Sequence, residues 1–262
     1  MLTFRAYRTA RPEPAIQSLS TFELAYCAVV IVVAYAARGS TGFGAAAAMP
    51  LMGLVVPMKV LVPAWTLLGI TAGLTLLGSD RRNISWIDIV RVLPTCLLGI
   101  VIGIYLFTLL DSRSLAQGLG MLVVLYGVYS LWGTVRPLNP PKLPGNIIGP
   151  IAGLIGGVVG ATFGTLASLF FAIYLDAIRL AKEAFRATMT TLLLALTVTR
   201  GIGYYLVGEF TRDVLIMFAA TLPMMLLGIY IGNRIHTGLD ETTFRRLVSA
   251  ALIVSGLALL VK

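Results

Sequence analysis

Apolar residues run along this chain in long unbroken blocks rather than alternating with polar ones. The blocks cover roughly 59–79, 87–110, 115–134, 185–208, 213–236 and 244–261. Each is near the ~20 residues that, at ~1.5 Å rise, cross a ~30 Å hydrocarbon core as a helix. Short polar joints such as "GSDRRNIS" and "GEFTRD" separate them, which leaves no room for an extramembrane domain. Backbone groups in lipid must be satisfied within their own segment, and the ~10-residue alternation of an outer-membrane barrel is absent. The pattern therefore predicts an all-α polytopic membrane protein.

Two polar, glycine-rich interruptions break the pattern: "RGSTGFG" at 38–44 and "GATFG" at 160–164. The apolar pieces after them, 45–57 and 164–177, are about fourteen residues, or roughly 21 Å of helix, too short to span. They read as half-helices, with 22–38 meeting 45–57 at the first break and 146–159 meeting 165–177 at the second. A helix start exposes unpaired N–H groups and a positive dipole end, which favour an anion. Irregular backbone at membrane depth is tolerated only against protein or a water-filled cavity. Gly39, Gly42, Gly44, Gly160 and Gly164 let backbone approach a ligand, and Ser40, Thr41, Thr162, Thr165 and Ser168 supply hydroxyl donors. The competing reading is close packing of small residues, since "GATFG" is literally a GxxxG pattern. On the site reading, 39–44 and 160–164 are non-helical and meet near mid-membrane, approached from opposite faces.

The chain is also duplicated. "LPTCLLGIVIGIYLFTLLDSRSL" from Leu93 and "LPMMLLGIYIGNRIHTGLDETTF" from Leu222 align without a gap, pairing Pro94 with Pro223, Gly99 with Gly228, Gly103 with Gly232, Asp111 with Asp240 and, further on, Gly127 with Gly256. This divides the chain into a tail at 1–20, a first transmembrane repeat at 21–134, a cytoplasmic proline-rich linker at 135–145 and a second transmembrane repeat at 146–262. Each repeat is a Gly-broken or re-entrant helix pair followed by three transmembrane helices. Arg81 and Arg82, Arg136 and Lys142, Arg179, Lys182 and Arg186, and Arg234, Arg245 and Arg246 all become cytoplasmic if 111–115 and 209–213 face out. The matched joints at Asp111 and Asp240 then fall on opposite sides, so the repeats are expected to be inverted. Arg5, Arg8 and Arg11 favour a cytoplasmic N-terminus instead, which would make 22–38 a full crossing without a counterpart. The opening "MLTFRAYRTARPEP" lacks the apolar core of a signal peptide, so no removal is expected.

Composition agrees with the pattern: of 262 residues 58% are hydrophobic and 12% charged, against about 25% charged in a soluble domain, and mean hydropathy is +0.93. The net charge of +9 is scattered over short joints, which fits membrane topology and not a nucleic-acid partner. Cys27 and Cys96 lie inside apolar segments and carry no redox signal. His236 stands alone, no ligand-spaced cluster offers a metal site, and no cofactor motif or catalytic triad is present, so an enzyme is disfavoured. Asp111 and Asp240 are expected helix N-caps. Asp88, Glu23 and Asp176 are expected to be solvated at segment ends. The sequon at Asn83 falls on the cytoplasmic side, where it has no meaning.

Charges within spans are costly and therefore informative. Arg200 lies eight residues before Gly208, and Gly201 leaves room beside it. Its partner is an acid on another span, a backbone carbonyl or a bound anion, unless it snorkels to the interface. Arg38 adjoins the first break and is either a second cation for the same ligand or a helix end.

"GSTGFGAAAAMPLMGL", "GGVVGATFGTLASLFFAIYL" and "FRATMTTLLLALTVTRGIGYYLVGEF", in this order and with the two-fold repeat, resemble the sulfite exporter TauE/SafE family of the toluene sulfonate uptake permease superfamily. The resemblance implies secondary transport of small sulfur-containing anions such as sulfite, sulfonates or sulfoacetate. Export by alternating access, in the inner membrane of a bacterium, is the expectation. The partners would be a small inorganic or organic anion and membrane lipid. A passive anion channel of the same architecture is the alternative, and a homodimer is left open. The half-helix ends and Arg200 point to an anion independently of the resemblance.

Overall fold

A computed structural model describes residues 20–41, 47–77, 83–135, 144–234 and 241–262. Among these residues every regular element is an α-helix: α1 (Thr21–Thr41), α2 (Ala48–Gly53), α3 (Met58–Leu77), α4 (Trp86–Leu109), α5 (Ser112–Val135), α6 (Gly145–Phe163), α7 (Ala167–Ala177), α8 (Lys182–Leu206), α9 (Arg212–Arg234) and α10 (Glu241–Val261). Segments within α3, α4, α5, α6 and α9 are long and apolar enough to cross a membrane. Gly42, Gly44, Arg81, Arg82, Arg136, Lys142, His236, Asp240 and the tail arginines lie outside the described residues.

Both breaks differ from the expected boundaries. Gly39, Ser40 and Thr41 are helical and close α1, so the first interruption starts later than 39. Gly160 to Phe163 are helical too, which makes α6 a 19-residue helix able to span rather than a half-helix ending at 159. The second break is Gly164 to Leu166. Gly164 adopts the left-handed conformation at φ 76° and its N–H donates to Gly160 O at 3.0 Å, a helix ending that a residue without a Cβ accepts freely. Of the following short helices, α7 has 11 residues and α2 only 6. A turn over 54–56 ends α2 ahead of Pro57, whose ring disfavours helix at the preceding residue.

The helices have two common ends. At one, Lys59 Nζ donates to Phe107 O and to Thr108 O, Lys59 N–H donates to Ser112 Oγ at 3.2 Å, and Lys262 Nζ donates to Gly53 O and Leu54 O at 3.0 and 2.9 Å. Tyr26 OH reaches Leu51 O at 3.2 Å, so the start of α1 lies beside the finish of α2. At the other end Ser85 N–H donates to Thr188 Oγ1 at 3.0 Å, Tyr174 OH donates to Asp88, and Gly145 packs on Ile178. The hairpin of α1 and α2 thus opens at the Lys59 end, and that of α6 and α7 at the Asp88 end. The joints at 110–111 and 207–211 share the Lys59 end, while 83–85 and 178–181 share the other, the grouping that the Lys and Arg pattern predicts.

Packing repeats on adding five to the helix number. α4 packs on α6 and α9 on α1; α3 packs on α9 and α8 on α4; α3 meets α8, and α5 meets α10. In the first pair, a Cβ at Gly99 or Gly103 would strike the α6 backbone at Leu154 or Val158. In the second, a Cβ at Gly228 or Gly232 would strike the α1 backbone at Val32 or Ala36. Small residues that bring helix backbones together are the usual means of association in lipid. Across α5 and α10, Gly127 and Gly256 play the same part, and Ser249 Oγ donates to Ser130 Oγ at 2.8 Å. α1 therefore has a counterpart in α6.

Candidate functional site

The second break is built from four helices. A Cβ on Gly160 would come within 2.9 Å of Ala167, the first residue of α7, so the last turn of α6 lies against the start of α7. Leu166, between them, is also left-handed at φ 67°, an uncommon conformation for a branched side chain and a local source of strain. Gly164 faces Met49 of α2 and Val62 of α3. The helix that follows the first break thus touches the second break.

Into this corner α8 sends two side chains one turn apart. Arg200 is 1% exposed, the largest of the fully buried side chains. Its Nη1 donates to Gly160 O, and Tyr204 OH donates to Ala161 O. Gly160 O thus accepts from the guanidinium as well as from Gly164 N–H, and a cation at the last turn of a helix suits the negative end of its dipole. Of the partners foreseen for Arg200, the structure supplies the backbone carbonyl. It excludes snorkelling: Arg200 precedes the last residue of α8 by six positions, about 9 Å along the axis. The guanidinium is not fully used, because its buried Nε has no hydrogen-bond partner among the described residues. The space beside Gly201 is occupied by Ile70 and Thr66 of α3.

The other sequence candidates fall in different places. Thr162 is buried, but its hydroxyl donates to Gly103 O at 3.2 Å and so ties α6 to α4. Thr165 is buried within the break and Ser168 half-buried at the start of α7. Arg38, Gly39, Ser40 and Thr41 occupy the last turn of α1.

Sequence reading missed several polar and aromatic residues. Tyr35 of α1 is fully buried with its ring 5.5 Å from Trp65 of α3, and the ring of Phe107 lies 4.9 Å from that of Tyr204. Asp88, expected to be solvated, is buried: it accepts from Ser85 Oγ and Tyr174 OH, both at 2.6 Å, and pairs with Arg91 at 3.3 Å. The Ser-x-x-Asp spacing of 85 and 88 at a helix start was the available signal; nothing local announced Tyr174. Glu23 does sit at an exposed helix start, where it accepts from Ser20, and Asp111 caps α5 by accepting from Ser114 N–H at 3.2 Å.

Two of the ionisable groups in the joints at the Lys59 end are shifted in opposite directions. The hydrogen bond from Ser114 holds the Asp111 carboxyl below its ordinary value, whereas burial raises Glu209, with Lys59 partly opposing.

A bundle of membrane-crossing helices, with a buried guanidinium at the break of a helix hairpin, defines a polytopic membrane protein with its polar chemistry inside the helix bundle. The family model for the sulfite exporter TauE/SafE matches residues 27–259, and the chain belongs to that family. As a member it is a membrane transporter of sulfur-related anions and not an enzyme. The chain is 27% identical over 196 residues to the probable inner membrane transporter protein TsaS of Comamonas testosteroni, covering 74% of this chain and 80% of that one. No solved structure matches it.

Proposed function

We propose that the protein is a secondary transporter of the bacterial inner membrane that exports small sulfur oxyanions, of the sulfite, sulfonate or sulfoacetate kind, by alternating access around the two breaks. The observation that carries the reading is Arg200: a buried guanidinium whose Nε has no partner among the described residues, beside the start of an 11-residue helix. A charge in so dry a place is costly, and an entering oxyanion would offset it while meeting the amides at the start of α7. Gly160, Gly164, Thr165 and Ser168 would frame that anion from the second half. Arg38, Gly39, Ser40, Thr41, Gly42 and Gly44 would approach it from the first. Thr162 is spent on Gly103 and drops out of this set. The two hairpins opening at opposite ends support an inverted arrangement of the repeats, the architecture that underlies rocking in many secondary transporters.

The test is counterflow in proteoliposomes preloaded with sulfite, sulfoacetate, taurine, sulfate or acetate. Unlabelled anion on the far side should accelerate uptake of the labelled one for the sulfur oxyanions and not for acetate. Flux without such acceleration would mean a passive channel, and no flux for any sulfur anion would sink the proposal.

A further inference from the structure

The two hairpins are not packed alike. α2 lies against both α10 and α5: Lys262 Nζ reaches Gly53 O and Leu54 O, and a Cβ on Gly53 would lie 3.5 Å from Leu259. Adding five to each helix number, α7 should lie against α5 and α10. Instead an apolar groove of about 380 Å³ separates α7 from α5, lined on one wall by Leu125 and Tyr129 and on the other by Phe170 and Ile173. Its floor includes Leu166, the strained residue of the second break.

α7 is also the helix whose two ends carry unusual backbone. The positive-φ residues other than glycine, among those described, are Leu166 at 67° just before it and Arg179 at 54° just after it. An 11-residue rod hung between two left-handed joints can rotate by exchanging a few backbone angles, the way hinges absorb motion. In its present position α7 packs Phe171 and the Tyr174 ring on Gly156 and Gly149 of α6, and a polar tie is added where Tyr174 OH donates to Asp88 of α4 at 2.6 Å.

We propose that the groove is the space into which α7 moves in the opposite-facing state, where it packs on α5 as α2 now packs on α10, and that the Tyr174–Asp88 hydrogen bond is the latch released on the way. This rests on the alternating-access reading and assigns it a moving part. The groove walls are aliphatic and aromatic side chains on both faces, so closure would bury mainly apolar surface, set against the released Tyr174–Asp88 hydrogen bond.

The test places cysteines across the groove, Tyr129→Cys with Ile173→Cys, leaving Cys27 and Cys96 buried. A second pair is Leu125→Cys with Phe170→Cys. In proteoliposomes the shortest bifunctional thiol reagent should link at least one pair, at a rate that changes when sulfur oxyanion is added. The linked protein should lose counterflow by about tenfold or more and recover it on cleavage of the link. Adding Tyr174→Phe should raise the linking rate several-fold. Failure of both pairs to link overturns the closure whatever the flux assay gives, as does a linked protein that exchanges anion at the unlinked rate. Anion-dependent linking in a protein that shows no exchange would instead overturn the transporter reading and leave the movement standing.

Discussion

The two halves of the molecule share their packing and differ in their chemistry. Gly69 of α3 faces Thr197 of α8, and Gly201 of α8 faces Thr66 and Ile70 of α3, so each helix turns a glycine to the other where the two halves meet. The residues before them are then Leu68 and Arg200, and one turn on are Ala72 and Tyr204. All four are buried. Where the second half presents a guanidinium and a phenol to the end of a broken helix, the first presents a leucine and an alanine. The close helix crossings are common to both halves, while the buried Arg200 and Tyr204 stand in the second.

The shared part can be broken symmetrically, and that is the largest effect expected. Gly103→Leu and Gly232→Leu each drive a side chain into the backbone of the neighbouring helix, α6 and α1 respectively. Backbone cannot give way as a side chain can, so each should cost about 3 kcal/mol or more. Both variants should lose the monodisperse peak in size-exclusion chromatography. If one survives and the other does not, the crossings are not equivalent.

The unshared part should break asymmetrically. On the proposed site, Arg200→Ala removes the positive charge that would face the anion and should weaken binding by about thirtyfold, on the order of 2 kcal/mol. Arg200→Lys should fall between, because an ammonium lacks the planar fork. Leu68→Ala, beside the facing glycine of the first half, should leave the affinity within about twofold while lowering thermal stability through lost packing. Titration of sulfite or sulfoacetate into purified, folded protein decides the matter: equal losses at 68 and 200 would show that the second break is not the site.

A smaller step along the same helix separates support from binding. Tyr204→Phe deletes the hydroxyl that serves Ala161 O but keeps the ring against Phe107. The abandoned carbonyl should cost about 1 kcal/mol of stability. Affinity should drop by no more than about fivefold, since the phenol acts on the anion only by holding the end of α6. A loss as large as that of Arg200→Ala would place Tyr204 on the anion itself.

The parts of this picture that were legible in the sequence are those set by periodicity and composition: the apolar blocks, the aligned glycines, the short helices after the breaks, and an arginine too deep to be solvated. Where the second break falls was not legible, because "GATFG" is compatible with helix once close neighbours pack on it, and only the backbone angles of Gly164 and Leu166 mark the true interruption. Nor was the burial of Asp88. Its partner Tyr174 lies 86 residues away on a helix whose position depends on the whole bundle. The groove beside α7 was illegible for the same reason, since its walls come from separate repeats and each reads alone as ordinary lipid-facing helix.

The smallest expected effect contrasts two joints at one end of the bundle. Asp111, held below its ordinary 3.8 by Ser114, binds fewer protons folded than unfolded, so it stabilises above 3.8 and that contribution fades as pH falls through the native value. Glu209 works in the opposite sense. Burial raises it above its ordinary 4.5, the folded state holds the proton more tightly, and stability should decline as pH rises from 4.5 through the raised native value. The two windows do not overlap, which lets one titration separate them. Thermal unfolding in detergent, followed from below 3.8 to above the raised value, should show stability climbing and then falling. Glu209→Gln should remove the fall and leave the climb, and Asp111→Asn should do the reverse. A fall that persists in Glu209→Gln would locate the raised carboxyl elsewhere.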